Sequence, residues 1–276
     1  MQKPRIAAVS YLNALPLIWG LIRGKDSRDY QISLHPPHEC SRLLREGLVD
    51  VALIPSIEFS QIGGLSTVPG LGISSRREVR SVVLISRTPP DRIRRLAVDD
   101  NSRTSVALAR LVLARGHGCR PAIEPMPPDL DAMLERNDAA LLIGDAALKE
   151  TVALDGGGAG SRPGLVVLDL AREWNLLTGK PFVFAFWACR PVVKSAEIKP
   201  ALERSLEEGL ANLEAIVSDA SGRSGLPAEA VRSYLTRNIH YRLGREELDS
   251  LRIFYRMSWE DGILSGQSRA REAARG

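Results

Sequence analysis

Short apolar runs that alternate with helix-like segments constrain the fold of this chain most strongly. Arg5–Val9 is apolar after its first residue, which is typical of a strand buried on both faces. Residues 17–22 then begin a segment with the apolar face of a helix. Buried strands followed by polar loops recur at residues 49–54 and at Ala139–Ile143. This alternation predicts an α/β fold with helical crossovers.

A change in composition predicts a second lobe. A strongly apolar strand over residues 81–86 is followed by residues 87–92, which are rich in proline and charge and are typical of a linker. New βα units come after it, up to the most apolar strand of the chain at residues 182–189. Beyond residue 190 the sequence predicts only helices, over residues 195–218, 227–237 and 246–263.

We therefore predict two α/β lobes, the second inserted into the first. The first lobe comprises residues 1–88 and 188–276, and the second comprises residues 89–187. Because strand ends from both lobes converge between them, we expect the ligand in the cleft between the lobes.

The composition is that of a globular protein that handles small molecules. Hydrophobic residues make up 44% and charged residues 25% of 276 positions, as expected for a chain with a real core. The net charge of +4 comes from dispersed arginines, and aromatic residues are only 5%, so nucleic acid is not an expected partner. No apolar run approaches the ~20 residues of a membrane helix, so no membrane partner is expected.

The cysteine pattern favours a cytoplasmic protein. Cys40, Cys119 and Cys189 lie far apart without C-x-x-C spacing, which predicts neither a disulfide framework nor a zinc site. Buried free thiols in a reducing compartment are the simplest interpretation. The first residues do not resemble a secretory signal.

Polar residues cluster in the loops that follow the predicted strands. Ser10, Tyr11 and Asn13 fall between the first strand and the first helix, whose start is marked by Pro16. Ser56 follows a later strand in the same manner. Loops at the carboxyl ends of strands bind ligands in α/β sheets, and the helix N-termini beside them suit anions. A capped turn is the alternative interpretation of the first loop.

Two further loops of this kind lie in the predicted second lobe. Ser102, Thr104 and Ser105 open a helix, where hydroxyl groups either cap the helix or help to hold a carboxylate. Gly144 and Asp145 follow a buried strand and are expected to face the cleft, with turn or cap duty as the alternative.

The sequence offers little for nucleophilic or metal catalysis. It contains no G-x-S-x-G elbow. Of its four histidines, His35 and His38 share one loop, His117 lies in a glycine-rich turn and His240 lies between helices, so no Ser–His–Asp arrangement is predicted. Metal ligands are not clustered either. We therefore predict no metal site.

Several motifs follow one another in order along nearly the whole chain. They are Ser10-Tyr11-Leu12-Asn13 with Pro16, residues 50–56, Ser81-Val82, residues 99–105, residues 141–145, Trp174 with residues 178–187, and Ile239-x-Tyr241-x-Leu243 through Phe254. Together they resemble the chorismate dehydratases of the futalosine route to menaquinone. The resemblance implies a type II periplasmic-binding-protein-like fold. It also implies a lyase that needs no cofactor and converts chorismate to 3-[(1-carboxyvinyl)oxy]benzoate.

For that reaction we predict a substrate site of hydroxyl groups and helix starts. Its substrate-binding residues are Ser10, Tyr11, Ser56, Ser81, Ser102, Thr104, Ser105 and Gly144. Four of these are assigned to the carboxylates of the substrate, namely Ser56, Ser81, Thr104 and Ser105. The predicted catalytic residues are Asn13, which bonds the reacting centre or the leaving hydroxyl, and Asp145. Asp145 is one candidate for the base, and the enolpyruvyl carboxylate of the substrate is the other.

Two other functions and one question of assembly stay open. A 1,4-dihydroxy-6-naphthoate synthase-like enzyme would share the fold and is expected to use a histidine base, for which His117 is the candidate. A non-catalytic solute-binding protein is the alternative from another class. Chorismate is the expected partner, and the C-terminal helices leave a homodimer open.

Overall fold

A computed structural model describes residues 3–25, 27–99, 103–155 and 164–264 of the chain. In these ranges the strands form two mixed sheets, one of six strands and one of five. We call the six-stranded sheet with the helices between its strands the first lobe, and the five-stranded sheet with its helices the second lobe. The predicted α/β class is confirmed.

The first sheet contains the N-terminal strands and the strands near the C-terminus. They are β1 (Arg5–Val9), β2 (Gln31–His35), β3 (Val51–Pro55), β4 (Ser66–Ser75), β10 (Phe182–Cys189) and β11 (His240–Arg242). Their order is β2-β1-β3-β10-β4-β11. β2 and β3 run parallel to β1, whereas β10 is antiparallel to β3 and β4. Every residue of β3 and β10 is buried, which explains their continuous apolar sequences.

The second sheet is formed by the central part of the chain. Its strands are β5 (Val82–Ser86), β6 (Arg95–Val98), β7 (Ala122–Pro125), β8 (Ala139–Ile143) and β9 (Val166–Asp169). Their order is β7-β6-β8-β5-β9. β7 and β8 run parallel to β6, and β5 is antiparallel to β8 and β9.

The helices cover the faces and ends of the two sheets. They are α1 (Leu15–Arg23), α2 (Pro37–Glu46), α3 (Ser56–Phe59), α4 (Arg103–Leu111), α5 (Leu130–Arg136), α6 (Gly144–Asp155), α7 (Leu170–Thr178), α8 (Ser195–Ala211), α9 (Leu213–Ser224), α10 (Ala228–Ser233) and α11 (Arg245–Glu260). Pro16 lies in the first turn of α1, as predicted. Over the described ranges, no helix has both the length and the apolar character that crossing a membrane requires.

Sheet membership differs from the predicted lobe boundaries by two strands. β5, which the boundary at residue 88 places in the first lobe, pairs in the second sheet, and β10 pairs from Phe182 to Cys189 with β4 in the first sheet. A buried apolar run carries no signal for the sheet that it joins, and the proline-rich segment at residues 87–92 does not mark the boundary between the sheets. That segment forms a turn with a short 3-10 helix, Pro90–Arg92, between β5 and β6 of one sheet.

The prediction that only helices follow residue 190 is also wrong. His240–Arg242 forms strand β11, which pairs with β4 at the edge of the first sheet. With only three residues, β11 is too short to show strand periodicity, and its neighbours are helical.

A half-buried carboxylate, that of Asp169, ties together the two places where the chain passes between the lobes. Asp169 accepts hydrogen bonds from the backbone N–H groups of Val79 and Arg80, at 2.9 and 2.6 Å. It also caps α7 by accepting from the N–H groups of Ala171 and Arg172. Arg80 has a φ of 63°, a left-handed conformation that is uncommon for a residue with a side chain. These bonds hold the backbone immediately before β5 in one position.

Aromatic side chains fill the core where α7 leads into β10. Trp174 and Phe182 pack edge to face with ring centroids 5.3 Å apart, and Phe254 of α11 completes the cluster. The buried indole N–H of Trp174 donates to Oγ of Ser250 at 2.9 Å. The cluster therefore fixes α11 against the junction of the lobes.

Candidate functional site

A cavity of about 50 Å³ lies between the lobes, at the carboxyl ends of β1, β3 and β8. Most of its wall is apolar, from Val9, Pro37, Pro55, Ile73, Val79, Val82, Ile143, Phe184 and Ala185. Its polar lining comes from residues of the predicted site, namely Tyr11, Asn13, Ser81 and Ser105, with Gly144 beside them. The cavity has room for only a few waters.

The loop after β1 supplies one side of the cavity. The chain leaves β1 at Val9 and forms a 3-10 turn, Leu12–Ala14, before α1 begins. This turn brings Tyr11 and Asn13 to the cavity. Ser10 is exposed instead, and its N–H donates to the carbonyl of His35 at 3.1 Å. Ser10 is therefore not among the lining residues.

The loop after β8 meets this turn from the second lobe. Gly144 has a φ of 60°, and a Cβ placed on it would lie 3.1 Å from the ring atoms of Tyr11. Glycine thus satisfies both the left-handed backbone and the close approach of the ring. Asp145 does not line the cavity, because its Oδ1 accepts a hydrogen bond from the N–H of Leu12 at 3.1 Å. Tyr11–Gly144 and Leu12–Asp145 form the first interlobe contact.

A second interlobe contact joins the first turns of α3 and α4. Oγ1 of Thr104 accepts from the N–H of Ile57 at 3.1 Å. The buried carboxylate of Glu58 pairs with Arg103 of the second lobe at 3.1 Å and with Arg45 of the first lobe at 2.9 Å. The hydroxyl of Thr104 therefore serves the packing of one helix start on another.

The predicted serines divide between lining and support. Ser105 lies in the first turn of α4 and borders the cavity. Ser56 is fully buried behind the lining, where its hydroxyl donates to the carbonyl of Val183 at 2.7 Å and its carbonyl accepts from Tyr255. Ser102 lies outside the described residues.

Ser81 borders the cavity and belongs to a hydrogen-bond network that the sequence analysis missed. The hydroxyl of Tyr234 donates to Oγ of Ser81 at 2.7 Å, and the turn that begins at Tyr234 packs against the turn that carries Asn13. Within the described part of the chain, Oδ1 of Asn13 is buried without a hydrogen-bond partner. Tyr234 lies 153 residues from Ser81, in a π-helical turn at Tyr234–Asn238. No local motif links the two residues.

Burial and acidic neighbours set the ionisation of the site. Desolvation raises the pKa of Tyr11, and the carboxylates of Asp99 and Asp145 raise it further. Desolvation also raises the pKa of Asp145, whereas the bond from Leu12 and the charges of Lys149 and Arg223 act to lower it. A tyrosine with a raised pKa stays protonated at neutral pH and acts as a donor.

Metal ligands are not gathered anywhere in the described ranges, since no group of three or more His, Cys, Asp or Glu side chains could hold an ion there. His117, the candidate for a histidine base, pairs with Glu173 at 3.0 Å and does not line the cavity.

Two sheets that enclose a cavity at their strand ends define a periplasmic-binding-protein-like fold. The structure is similar to that of the periplasmic aliphatic sulphonate binding protein SsuA from Escherichia coli, with a TM-score of 0.67. The likeness covers 99% of this chain and 92% of that chain at 17% sequence identity, and it concerns the fold alone. The predicted fold class is confirmed.

The chain belongs to the menaquinone biosynthesis family, whose sequence profile matches residues 4–260. It is 33% identical over 226 residues to a chorismate dehydratase of Thermus thermophilus, and this match covers 78% of this chain and 81% of the relative. It is 25% identical over 250 residues to a chorismate dehydratase of Campylobacter jejuni, covering 89% of this chain and 93% of the relative. The family resemblance found in the sequence is confirmed.

Proposed function

We propose that this protein dehydrates chorismate to 3-[(1-carboxyvinyl)oxy]benzoate in menaquinone biosynthesis by the futalosine route. The family and the names of the two relatives support this activity. The observation that carries the proposal is the interlobe cavity, where apolar walls face hydroxyl and amide groups. A carbon ring with two carboxylates and one hydroxyl needs both kinds of surface.

The reaction removes water from two adjacent ring carbons. The proton on C3 leaves, and its electron pair spreads through the ring double bond into the carboxylate on C1. The C4–O bond then breaks, the hydroxide leaves with a proton as water, and the ring becomes aromatic. The protein therefore has to fix both carboxylates, stabilise the charge that develops on the ring carboxylate, and hold the leaving hydroxyl.

Ser81 and Ser105 are the serines placed to hold carboxylates, because both border the cavity. Ser105 and Gly144 also bring the N-terminal turns of α4 and α6 to it, and helix N-termini favour anions. Ser56 and Thr104 support this region from behind through their bonds to Val183 and Ile57. In this account the latter two residues shape the site without touching the substrate.

The base is best supplied by the substrate. Among the described residues that line the cavity, Tyr11 is the only one with an ionisable side chain, and its pKa is raised. Asp145 lies outside the lining, with one oxygen committed to the N–H of Leu12. We therefore favour the enolpyruvyl carboxylate of chorismate as the group that takes the C3 proton. Asn13 lies in the cavity with an unpaired oxygen and holds the leaving hydroxyl.

We further propose that the protein is a hydro-lyase that acts in the cytoplasm without a cofactor. Cys40, Cys119 and Cys189 are free thiols, in accord with a reducing compartment. Chorismate is the proposed partner, nucleic acid and membranes are not, and a homodimer through the C-terminal helices is the proposed assembly.

Incubation of the purified protein with chorismate tests the activity. We expect chorismate to lose one water, with a new aromatic absorbance. The matched control is Asn13→Ala, which should lower kcat by about 10²-fold or more while binding changes far less. Binding of chorismate without turnover would support the solute-binding alternative. Turnover of a later menaquinone precursor alone would support the naphthoate synthase alternative.

A further inference from the structure

Tyr234 touches one polar residue of the cavity and lies beside a second, without lining the cavity itself. Its side chain is 1% exposed and its hydroxyl donates to Oγ of Ser81 at 2.7 Å. The 3-10 turn Leu12–Ala14, which carries Asn13, packs against the turn Tyr234–Asn238. One buried group thus contacts a residue proposed for carboxylate binding and lies next to the residue proposed for the reacting centre.

The direction of these bonds follows from the proton count. A tyrosine hydroxyl has a single proton, and Tyr234 gives it to Ser81. The proton of Ser81 must then point away from Tyr234. Since Ser81 borders the cavity, its hydroxyl is set as a donor to a ligand there.

The amide of Asn13 lies beside the same hydroxyl, because the turns that carry the two residues pack together. Burial raises the pKa of Tyr234, whereas the hydroxyl of Ser81 and the amide of Asn13 act to lower it. The side-chain nitrogen is the atom of that amide that can donate to the oxygen of Tyr234. Oδ1 of Asn13 is then left as an acceptor, and this is the atom that is buried without a partner in the described residues. Chorismate with ionised carboxylates carries one hydrogen-bond donor, the C4 hydroxyl.

We propose that Tyr234 is a positioning residue for the dehydration, which fixes Ser81 as a donor to a substrate carboxylate and Oδ1 of Asn13 as the acceptor for the leaving C4 hydroxyl. This inference rests on the proposed function. Tyr234 acts through two other residues and does not contact the substrate.

Tyr241 provides a matched control. It is also buried, and its hydroxyl has no hydrogen-bond partner in the described ranges. Tyr234→Phe and Tyr241→Phe therefore remove the same atom from similar surroundings. Of the two hydroxyls, only that of Tyr234 bonds to a residue that is proposed to bind the substrate, namely Ser81.

The test compares kcat and KM for chorismate in the wild type, Tyr234→Phe, Tyr241→Phe, Ser81→Ala and the Tyr234→Phe/Ser81→Ala double variant. We expect Tyr234→Phe to lower kcat by about tenfold, the scale of one orienting hydrogen bond, and Tyr241→Phe to stay within about twofold of the wild type. The two losses should not multiply in the double variant, since Tyr234 acts partly through Ser81.

Equal kcat values in the two phenylalanine variants, or losses that multiply, would overturn the inference. If Tyr234→Phe does not fold, the Ser81→Ala variant tests the inference instead. Wild-type kcat and KM in Ser81→Ala would show that the hydrogen bond between Tyr234 and Ser81 does not contribute to the reaction. A wild-type protein that leaves chorismate unchanged would instead overturn the proposed function. An active wild type with an unaffected Tyr234→Phe variant would overturn the positioning role alone.

Discussion

The N–H of Leu12 donates to Oδ1 of Asp145 at 3.1 Å, and this bond joins the loop after β1 to the first turn of α6 in the other lobe. The aspartate therefore holds the 3-10 turn that carries Asn13. The bond thus ties the two lobes together beside the cavity.

The Asp145→Asn variant distinguishes the structural role of Asp145, which is to accept the hydrogen bond from Leu12, from a role as general base. Asparagine keeps an oxygen that accepts from Leu12, so we expect kcat to stay within about threefold of the wild type. Removal of a general base costs about 10²–10⁴-fold. Steady-state turnover of chorismate measures the difference, with Asp145→Ala as the variant that also removes the bond. A loss of about 10²-fold in Asp145→Asn would identify the aspartate as the base.

The pH dependence of stability gives a second test of Asp145. Burial raises the pKa of its carboxyl in the folded protein. The stability that such a group contributes is present in full below its unfolded pKa and is lost as pH rises through its folded pKa. Asparagine does not titrate, so Asp145→Asn should gain stability relative to the wild type as pH rises from about 4 to about 7. Urea denaturation across this range measures it, and a difference that falls with pH would contradict the shift.

Gly144→Ala should disturb the contact with Tyr11. The new Cβ would lie 3.1 Å from the ring, and the backbone has a φ of 60°. Gly179→Ala is the control, because its φ of 69° imposes a similar backbone cost with nothing within 4 Å of the new atom. The left-handed backbone should cost each variant about 1–2 kcal/mol. Only Gly144→Ala should also lower kcat/KM, so equal activity in the two variants would remove Tyr11 from the site.

Arg103 and Arg45 separate lobe closure from local stability, because both pair with the buried carboxylate of Glu58. Only Arg103 comes from the second lobe. Arg103→Gln should therefore raise KM for chorismate by up to about fivefold, since the arginine of the pair is exposed to solvent, and Arg45→Gln should leave KM unchanged. Titration of substrate with both variants tests this, and equal KM values would show that the pair does not act in closure.

The sequence predicted the strands better than it predicted their assembly. β1, β3, β5, β8 and β10 are buried and continuous in apolar residues, so each could be located. Their sheet membership depends on pairing between distant segments, which no local pattern records. The short strand β11 left no periodic signal at all.

The candidate site shows the same division. Tyr11, Asn13, Ser81, Ser105 and Gly144 follow or precede strands in a recognisable way, and they do border the cavity. The sequence placed the hydroxyls of Ser56 and Thr104 near the site, but it could not show that they lie behind the cavity lining. Their hydrogen bonds to the backbone of Val183 and Ile57 hold them there. Tyr234 could not be predicted, since only the folded chain brings it to Ser81.

Turnover of chorismate that carries deuterium on C3 is the most direct test of the proposed dehydration. With the purified protein, the account predicts an aromatic product that has lost both the label and the C4 oxygen, read by mass spectrometry. Chorismate that binds without any change in mass, or a product that keeps the deuterium, would contradict it.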